Sequence, residues 1–273
     1  MPFISLRFDL RLAAIVPITT SKGAEIIARV KRGESVRKVA STLGIPLSTA
    51  YCYARDDCMK QSSMKMDALG PKEQGYLLGM MVGDGSLIRH KRRGEFLAKI
   101  ALDGLRDQDI SQFLSSMFER AGKRVNVRVE RRMLILRIWS KTFYNFVAKH
   151  VRHKKRPSSR HHTKSLLGFE EWNKGFAVGF IGGLIDSDGH IERRKRGGHY
   201  GAIITTSSPS LRDQVRDLCK LHQINASWRL NHRGCRGEKP RYAVHITSDD
   251  LNTLCSKILC VKHLRYHGGP GRI

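Results

Sequence analysis

Apolar and polar positions follow two different periods along this chain, and they alternate in a fixed order. In residues 96–102, Phe96, Ala98, Ile100 and Leu102 share one face while Lys99 falls on the other, the period of a half-buried strand. Just before it, GYLLGMMVGDG (75–85) is an unbroken apolar run, rich in glycine, that predicts a helix ending at a carboxylate. Asp107 to Ala121 places Ile110, Phe113, Leu114, Met117 and Phe118 at helical spacing. Val125, Val127 and Val129 alternate, as do Leu134, Leu136 and Ile138, and each set is expected to bury its apolar face. Ser140 is a fitting N-cap for a last helix running to about His150. The predicted order is αββαββα.

The same order returns further along. A shift of 104 residues lays Gly75 on Gly179 and Leu102 on Thr206 without a gap, so GYLLGMMVGDG falls on GFIGGLIDSDG (179–189). The basic turns RHKRRGEF (89–96) and RRKRGGHY (193–200) coincide as well. With a few residues' adjustment, LRIWSKTFYNF (136–146) matches VHITSDDLNTL (244–254). In the second copy Ser208 is expected to cap a helix over Leu211–His222. Alternation follows at Ala226, Trp228 and Leu230, then at Tyr242, Val244 and Ile246, with Ser248 before a closing helix. This is an internal duplication of about a hundred residues, found as self-similarity at a fixed period.

The expected organisation is a first repeat over 67–152, a basic linker over 153–168 and a second repeat over 169–273. The linker rests on HVRHKKRPSSRHHTKS (150–165), which is polar and broken by Pro157. Residues 1–66 form a separate helix-turn-helix-like segment. Within VRKVASTLGIPLSTAYCYAR (36–55), Ala40 sits where two helices touch and Gly44 at the turn, with Val39, Leu43, Ile45, Ala50 and Tyr53 inside. Ser48, Thr49, Tyr51 and Arg55 then face outward, toward a DNA major groove if the segment binds DNA. The alternative is a small helical cap.

Composition narrows the partner. The chain carries 50 Lys and Arg against 24 Asp and Glu, a net charge of +26, and such an excess attracts polyanions through phosphate contacts and counterion release. No basic amphipathic helix points to an acidic membrane instead. No uncharged run reaches the ~20 residues of a membrane span, and Arg7, Asp9 and Arg11 interrupt the opening apolar stretch, so a cytoplasmic, intracellular location is expected. The six cysteines contain no CxxC pair and are expected to be reduced and structural.

Two glycine rows ask for an explanation. Gly75, Gly79 and Gly83 recur every four residues, as do Gly175, Gly179, Gly183 and Ser187, and each row is one stripe of a helix. Each glycine costs about 0.8–1 kcal/mol of helix propensity. The cost is tolerable if the two helices pack backbone against backbone. Their C-terminal ends then bring Asp84 beside Asp188, two like charges at the unfavourable ends of two dipoles. A divalent cation relieves that repulsion, and hard oxygen donors suit Mg²⁺ or Mn²⁺. The alternative is a pair of helix C-caps, since Asp84-Gly85 and Asp188-Gly189 are also ordinary turn pairs.

GMMVGDG and GGLIDSDG resemble the two motifs of the LAGLIDADG homing endonucleases, in the single-chain form where two αββαββα repeats share one active site. The resemblance spans about 200 residues, from Gly75 to the last helix. It implies an α+β fold with the two repeats related by a pseudo-twofold axis. It also implies a Mg²⁺- or Mn²⁺-dependent, site-specific double-strand DNA endonuclease acting as a monomer. Asp84 and Asp188 correspond to the metal-binding acids, with the Gly83 and Ser187 carbonyls as further ligands. Asp186 corresponds to a position that supports helix packing and capping, and Val82 replaces it in the first copy. Lys99 is the candidate for the lysine that such proteins place near the metals. Its partner by alignment is Ile203, so the halves are not equivalent.

The sheet faces opposite the core carry Lys99, Arg128, Arg137, Arg229, Arg241 and His245, suited to reading base edges. The hairpin tips carry Arg89, Lys91 and Arg92, and Arg193, Lys195 and Arg196, suited to phosphates. Two other functions stay open. Some transcription regulators join a degenerate LAGLIDADG region to a helix-turn-helix without cleaving, although such proteins typically lose the acids kept here. A maturase would take host intron RNA as partner. A complete intein is not expected from a chain opening with Met1 and ending GRI.

Overall fold

The computed structural model describes residues 20–54, 64–90, 94–155, 162–193, 200–232, 240–246 and 261–262. The chain divides into two compact units, Met1–Ser62 and Ser63–Ile273.

In the first unit three short helices, α1 (Thr20–Lys31), α2 (Val36–Thr42) and α3 (Leu47–Ala54), enclose Ile26, Val39, Ala40 and Ala50. The Ser35 hydroxyl caps α2 by accepting from the Lys38 amide at 3.3 Å. Gly44 takes the α2–α3 turn with φ +60, a conformation that favours glycine. Leu43, Ile45 and Tyr53 are half-buried rather than enclosed. Ser48 and Tyr51 are exposed as expected, but Thr49 is fully buried. Thr49 and Tyr53 are one helical turn apart and share the inward stripe, which corrects the expectation that Thr49 faces outward. Arg55 lies outside the described residues.

The second unit repeats one plan twice. α4 (Pro71–Gly83), β1 (Gly85–His90), β2 (Glu95–Asp103), α5 (Gln108–Arg120), β3 (Asn126–Glu130), β4 (Met133–Trp139) and α6 (Lys141–His150) make the first repeat. After a hairpin of β5 (Val151–Lys155) and β6 (His162–Leu166) come α7 (Lys174–Asp188), β7 (Gly189–Arg193), β8 (Tyr200–Thr206), α8 (Pro209–Leu221), β9 (Ala226–His232) and β10 (Arg241–Ile246). The sheets have matching order, β1-β2-β4-β3 and β7-β8-β10-β9, all antiparallel. The expected final helix falls mostly outside the described residues, of which only Val261 and Lys262 are helical. Caps predicted from sequence are in place: Ser140 accepts from the Phe143 amide at 3.2 Å and Ser208 from the Leu211 amide at 3.3 Å.

Register fixes the faces. Ala98, Ile100 and Leu102 on β2 oppose Ile138, Leu136 and Leu134 on β4, and this face closes on Ile110, Leu114, Met117, Phe118 and Phe143. Lys99 opposes Ser86 and Arg137 on the other face. Val127 and Val129 share the core-side face yet are 43% and 72% exposed, which corrects the expectation that they are buried. Every residue of β3 is exposed because it is the outermost strand, where α5 no longer covers the sheet. Trp228 and Leu230 on the outermost strand β9 are also partly exposed, and Arg212 stacks over the Trp228 ring at 3.9 Å.

The basic linker is also corrected, since Val151–Lys155 and His162–Leu166 pair as an antiparallel hairpin. Val151 and Leu166, which pair with each other at its base, are enclosed, 4% and 3% exposed. A ladder needs backbone groups rather than apolar side chains, so its basic residues hid the strands. The Gln214 side chain of α8 clamps Leu166 from both sides, donating to its carbonyl at 2.9 Å and accepting from its amide at 2.7 Å.

Candidate metal and nucleic-acid site

α4 and α7 cross with nothing between their backbones. A Cβ built on Gly79 would lie 2.9 Å from the Gly183 Cα and overlap the Phe180 carbonyl, and one on Gly183 would overlap the Tyr76 carbonyl. Gly75 meets Phe176 and Gly179 meets Lys72 in the same way. The stripes are therefore a contact surface, and Gly175, whose nearest neighbour is 3.4 Å away, marks its edge.

This crossing carries the two C-terminal ends together. Asp84 is the C-cap residue of α4 and Asp188 the last residue of α7. A side chain on Gly83 would overlap Ser187 and come within 3.4 Å of the Asp188 carboxyl carbon. Gly85 and Gly189 do not adopt the left-handed conformation of a C-cap glycine; Gly189 has φ −111. They are small because each strand starts hard against the preceding helix, over Met81 and Ile185 respectively. The turn pairs thus start a strand directly from a helix end.

The acids feel one another. The Asp84 carboxyl is pushed up to about 6, first by burial and then by the charge of Asp188, with Asp107 adding and Lys262 and Lys164 opposing. Asp188 is open to solvent on one side but walled by protein on the others; desolvation raises its carboxyl, against the pull of Lys164 and Lys262. Two half-desolvated carboxylates with mutual repulsion are a fitting donor set for a hard divalent cation. Asp107, at the start of α5, adds negative charge on the side of the first repeat.

Lys164 went unnoticed in the sequence, inside the segment read as a linker. Its Nζ donates to the Val82 carbonyl and, at 2.9 Å, to the Gly83 carbonyl. Burial lowers its ammonium, against the pull of Asp188 and Asp84. Ser208 of α8 fixes its backbone, the hydroxyl donating to the Lys164 carbonyl at 2.8 Å. Only the strand parity of HTKSL (162–166) could have pointed to it, and charge masked that parity. Lys262 is the second such cation, with Nζ 3.2 Å from the Gly189 carbonyl. Asp186 is 1% exposed and accepts from the Tyr76 hydroxyl at 2.8 Å and from the Val261 and Lys262 amides at 2.7 and 3.0 Å. It thus works in packing and capping.

An open pocket of about 280 Å³ runs beside Asp188, between Val82, Lys164, Thr206, Ser208 and Arg241. The open face of the first sheet carries Lys99, Arg128 and Arg137, the last ion-paired to Glu130. That of the second carries Arg229, His245 and Arg241. Arg89 lies on the opposite face of its hairpin, its guanidinium 5.4 Å from the Phe96 ring centre. Arg193 ends β7, paired with Tyr200. Lys91, Arg92, Lys195 and Arg196 lie outside the described residues. Lys99 keeps to the sheet face, and the cations acting on the acids are Lys164 and Lys262.

Comparison with known proteins bears on this arrangement. Residues 175–259 match the family model of a LAGLIDADG-like domain. Among solved structures, the homing endonuclease I-WcaI bound to its DNA recognition sequence superposes with a TM-score of 0.52 at 12% identity, over 78% of this chain and 91% of that one. I-DmoI in complex with DNA and Ca gives 0.50 at 19% identity, over 69% and 90%. At these identities the likeness is one of fold. No curated protein matches the chain in sequence.

Proposed function

From a chain that carries a LAGLIDADG-like domain within a two-repeat LAGLIDADG fold, we propose a site-specific double-strand DNA endonuclease that depends on a divalent metal. The observation that carries this reading is the pairing of Asp84 with Asp188 at the ends of two helices packed backbone to backbone, under a protein of net charge +26. The solved structures of similar fold include homing endonucleases held on DNA, one with Ca, which supports DNA as the partner.

Asp84 and Asp188 would hold Mg²⁺ or Mn²⁺, with the Ser187 and Gly83 carbonyls as candidate further ligands. Such an ion, when bound, supplies a Lewis acid that activates water and neutralises the leaving oxygen. The protein's own part is to present the duplex. Lys99, Arg128, Arg137, Arg229, Arg241 and His245 would face the major groove, where Arg reads guanine bidentately. Arg89, Lys91, Arg92, Arg193, Lys195 and Arg196 would hold phosphates, adding affinity without sequence information. Lys164 and Lys262 keep positive charge beside the acids, where a phosphodiester must approach.

The test is cleavage of a randomised duplex library in Mg²⁺ by the wild type, Asp84→Asn and Asp188→Asn. Discrete staggered cuts absent from both variants are expected. Tight binding without any cut would overturn the endonuclease and leave a regulator. That second reading draws on the separate three-helix unit, whose Ser48 and Tyr51 are exposed on α3 as a groove-reading helix needs.

A further inference from the structure

The Gly83 carbonyl, a candidate metal ligand, already has a cation on it. Lys164 Nζ donates to it at 2.9 Å and to the neighbouring Val82 carbonyl, filling the end of α4 where four carbonyls lack helical partners. The ammonium also carries charge that acts on both Asp84 and Asp188. An ammonium is a compact point charge with three donors, so it offers oxygen donors what a small metal ion offers them. The arrangement is built rather than incidental. Ser208 holds the Lys164 backbone, Gln214 clamps Leu166 two residues on, and β6 pairs with β5. The second repeat differs: Lys262 sits on the Gly189 carbonyl, beyond Asp188.

We propose that Lys164 is a built-in competitor for divalent metal at the first-repeat end of the site. Its ammonium holds the Gly83 carbonyl, and it must swing away before that carbonyl and Asp84 can serve an ion together. The four-carbon stem allows the movement while the β6 backbone stays clamped. The site so built stays charge-compensated without metal and gives it low affinity, and its two ends differ in readiness. This rests on the metal-site reading of Asp84 and Asp188 given above.

The test is isothermal titration of the full chain, without DNA, using Ca²⁺ and Mn²⁺. Lys164→Met should bind at least about tenfold more tightly than wild type, the scale expected when a nearby like charge is removed. Lys164→Arg should stay weak, and Lys149→Met, at an exposed position of α6, should match wild type. A second measurement needs no substitution: saturating Ca²⁺ should speed acetylation of Lys164 in the wild type, read by mass spectrometry. Unchanged or weaker binding in Lys164→Met, or unchanged acetylation of Lys164 when Ca²⁺ is bound, would overturn the proposal. Folded wild type and Lys164→Met that both bind no metal would overturn the metal site itself.

Discussion

The Tyr76 hydroxyl, on the first-repeat helix α4, donates to the Asp186 carboxylate of the second-repeat helix α7 at 2.8 Å, and the same carboxylate takes the amides of Val261 and Lys262. One buried acid thus ties both repeats to the Val261–Lys262 segment. Asp186→Ala leaves those donors without an acceptor and should cost about 2–4 kcal/mol in urea unfolding. Tyr76→Phe removes one bond and should cost about 1 kcal/mol.

Glycines of the crossing should answer to position. Gly183→Ala drives a methyl into the Tyr76 carbonyl and the Gly79 backbone, which cannot yield as a side chain would, and should cost about 3 kcal/mol or more. Gly175→Ala meets only ordinary contact and should be close to neutral, helped by the better helix propensity of alanine. Thermal unfolding of the two variants checks the contrast.

Asp84 sets a pH dependence whose sign is opposite to that of a salt-bridged acid. Its folded carboxyl lies at about 6, above the ~3.9 of an unfolded aspartate, so folding favours the protonated form. Its destabilising effect is absent below about pH 4, grows between 4 and 6, and is complete above. Metal-free Asp84→Asn should therefore melt higher than wild type at pH 7.5, with the difference vanishing near pH 4. Melting curves across that range decide it.

The two faces of the first sheet should separate in DNA binding. Arg128→Ala, on the open face, should cost about 1–3 kcal/mol at one base position of the target. Arg89→Ala, on the other face of the hairpin, should weaken all sequences alike and lower the salt slope by about one. Affinity titrations over a salt series distinguish the two.

In the three-helix unit Thr49 buries a hydroxyl that has no hydrogen-bond partner among the described residues. Thr49→Val should leave stability unchanged or raise it by up to about 1 kcal/mol. Tyr51→Ala, at an exposed position, should leave stability unchanged while lowering DNA affinity if α3 reads a groove.

Much of the candidate site was legible because it rests on local periods. The spacing of Gly75, Gly79 and Gly83 marks a helix stripe without knowledge of the partner, and the shift of 104 residues supplies that partner as Gly179, Gly183 and Ser187. The strand faces of Lys99 and Arg137 follow from parity alone, and their register confirms it. Val127 and Val129 were misjudged because alternation reports which face a residue takes, whereas cover depends on a strand's place in the sheet.

The chain by itself determined the duplication, the order of elements, the helix pair and the position of two carboxylates at its end, all of which follow from short-range spacing and from one copy restating the other. Tertiary structure alone decided which cations reach those carboxylates. Lys164 arrives from a hairpin 80 residues beyond Asp84 (164 − 84), held by Ser208 and Gln214 of a helix further still. No period links residues so far apart. Their meeting depends on strand pairing, and a pairing made by backbone groups leaves little trace in a run of basic side chains.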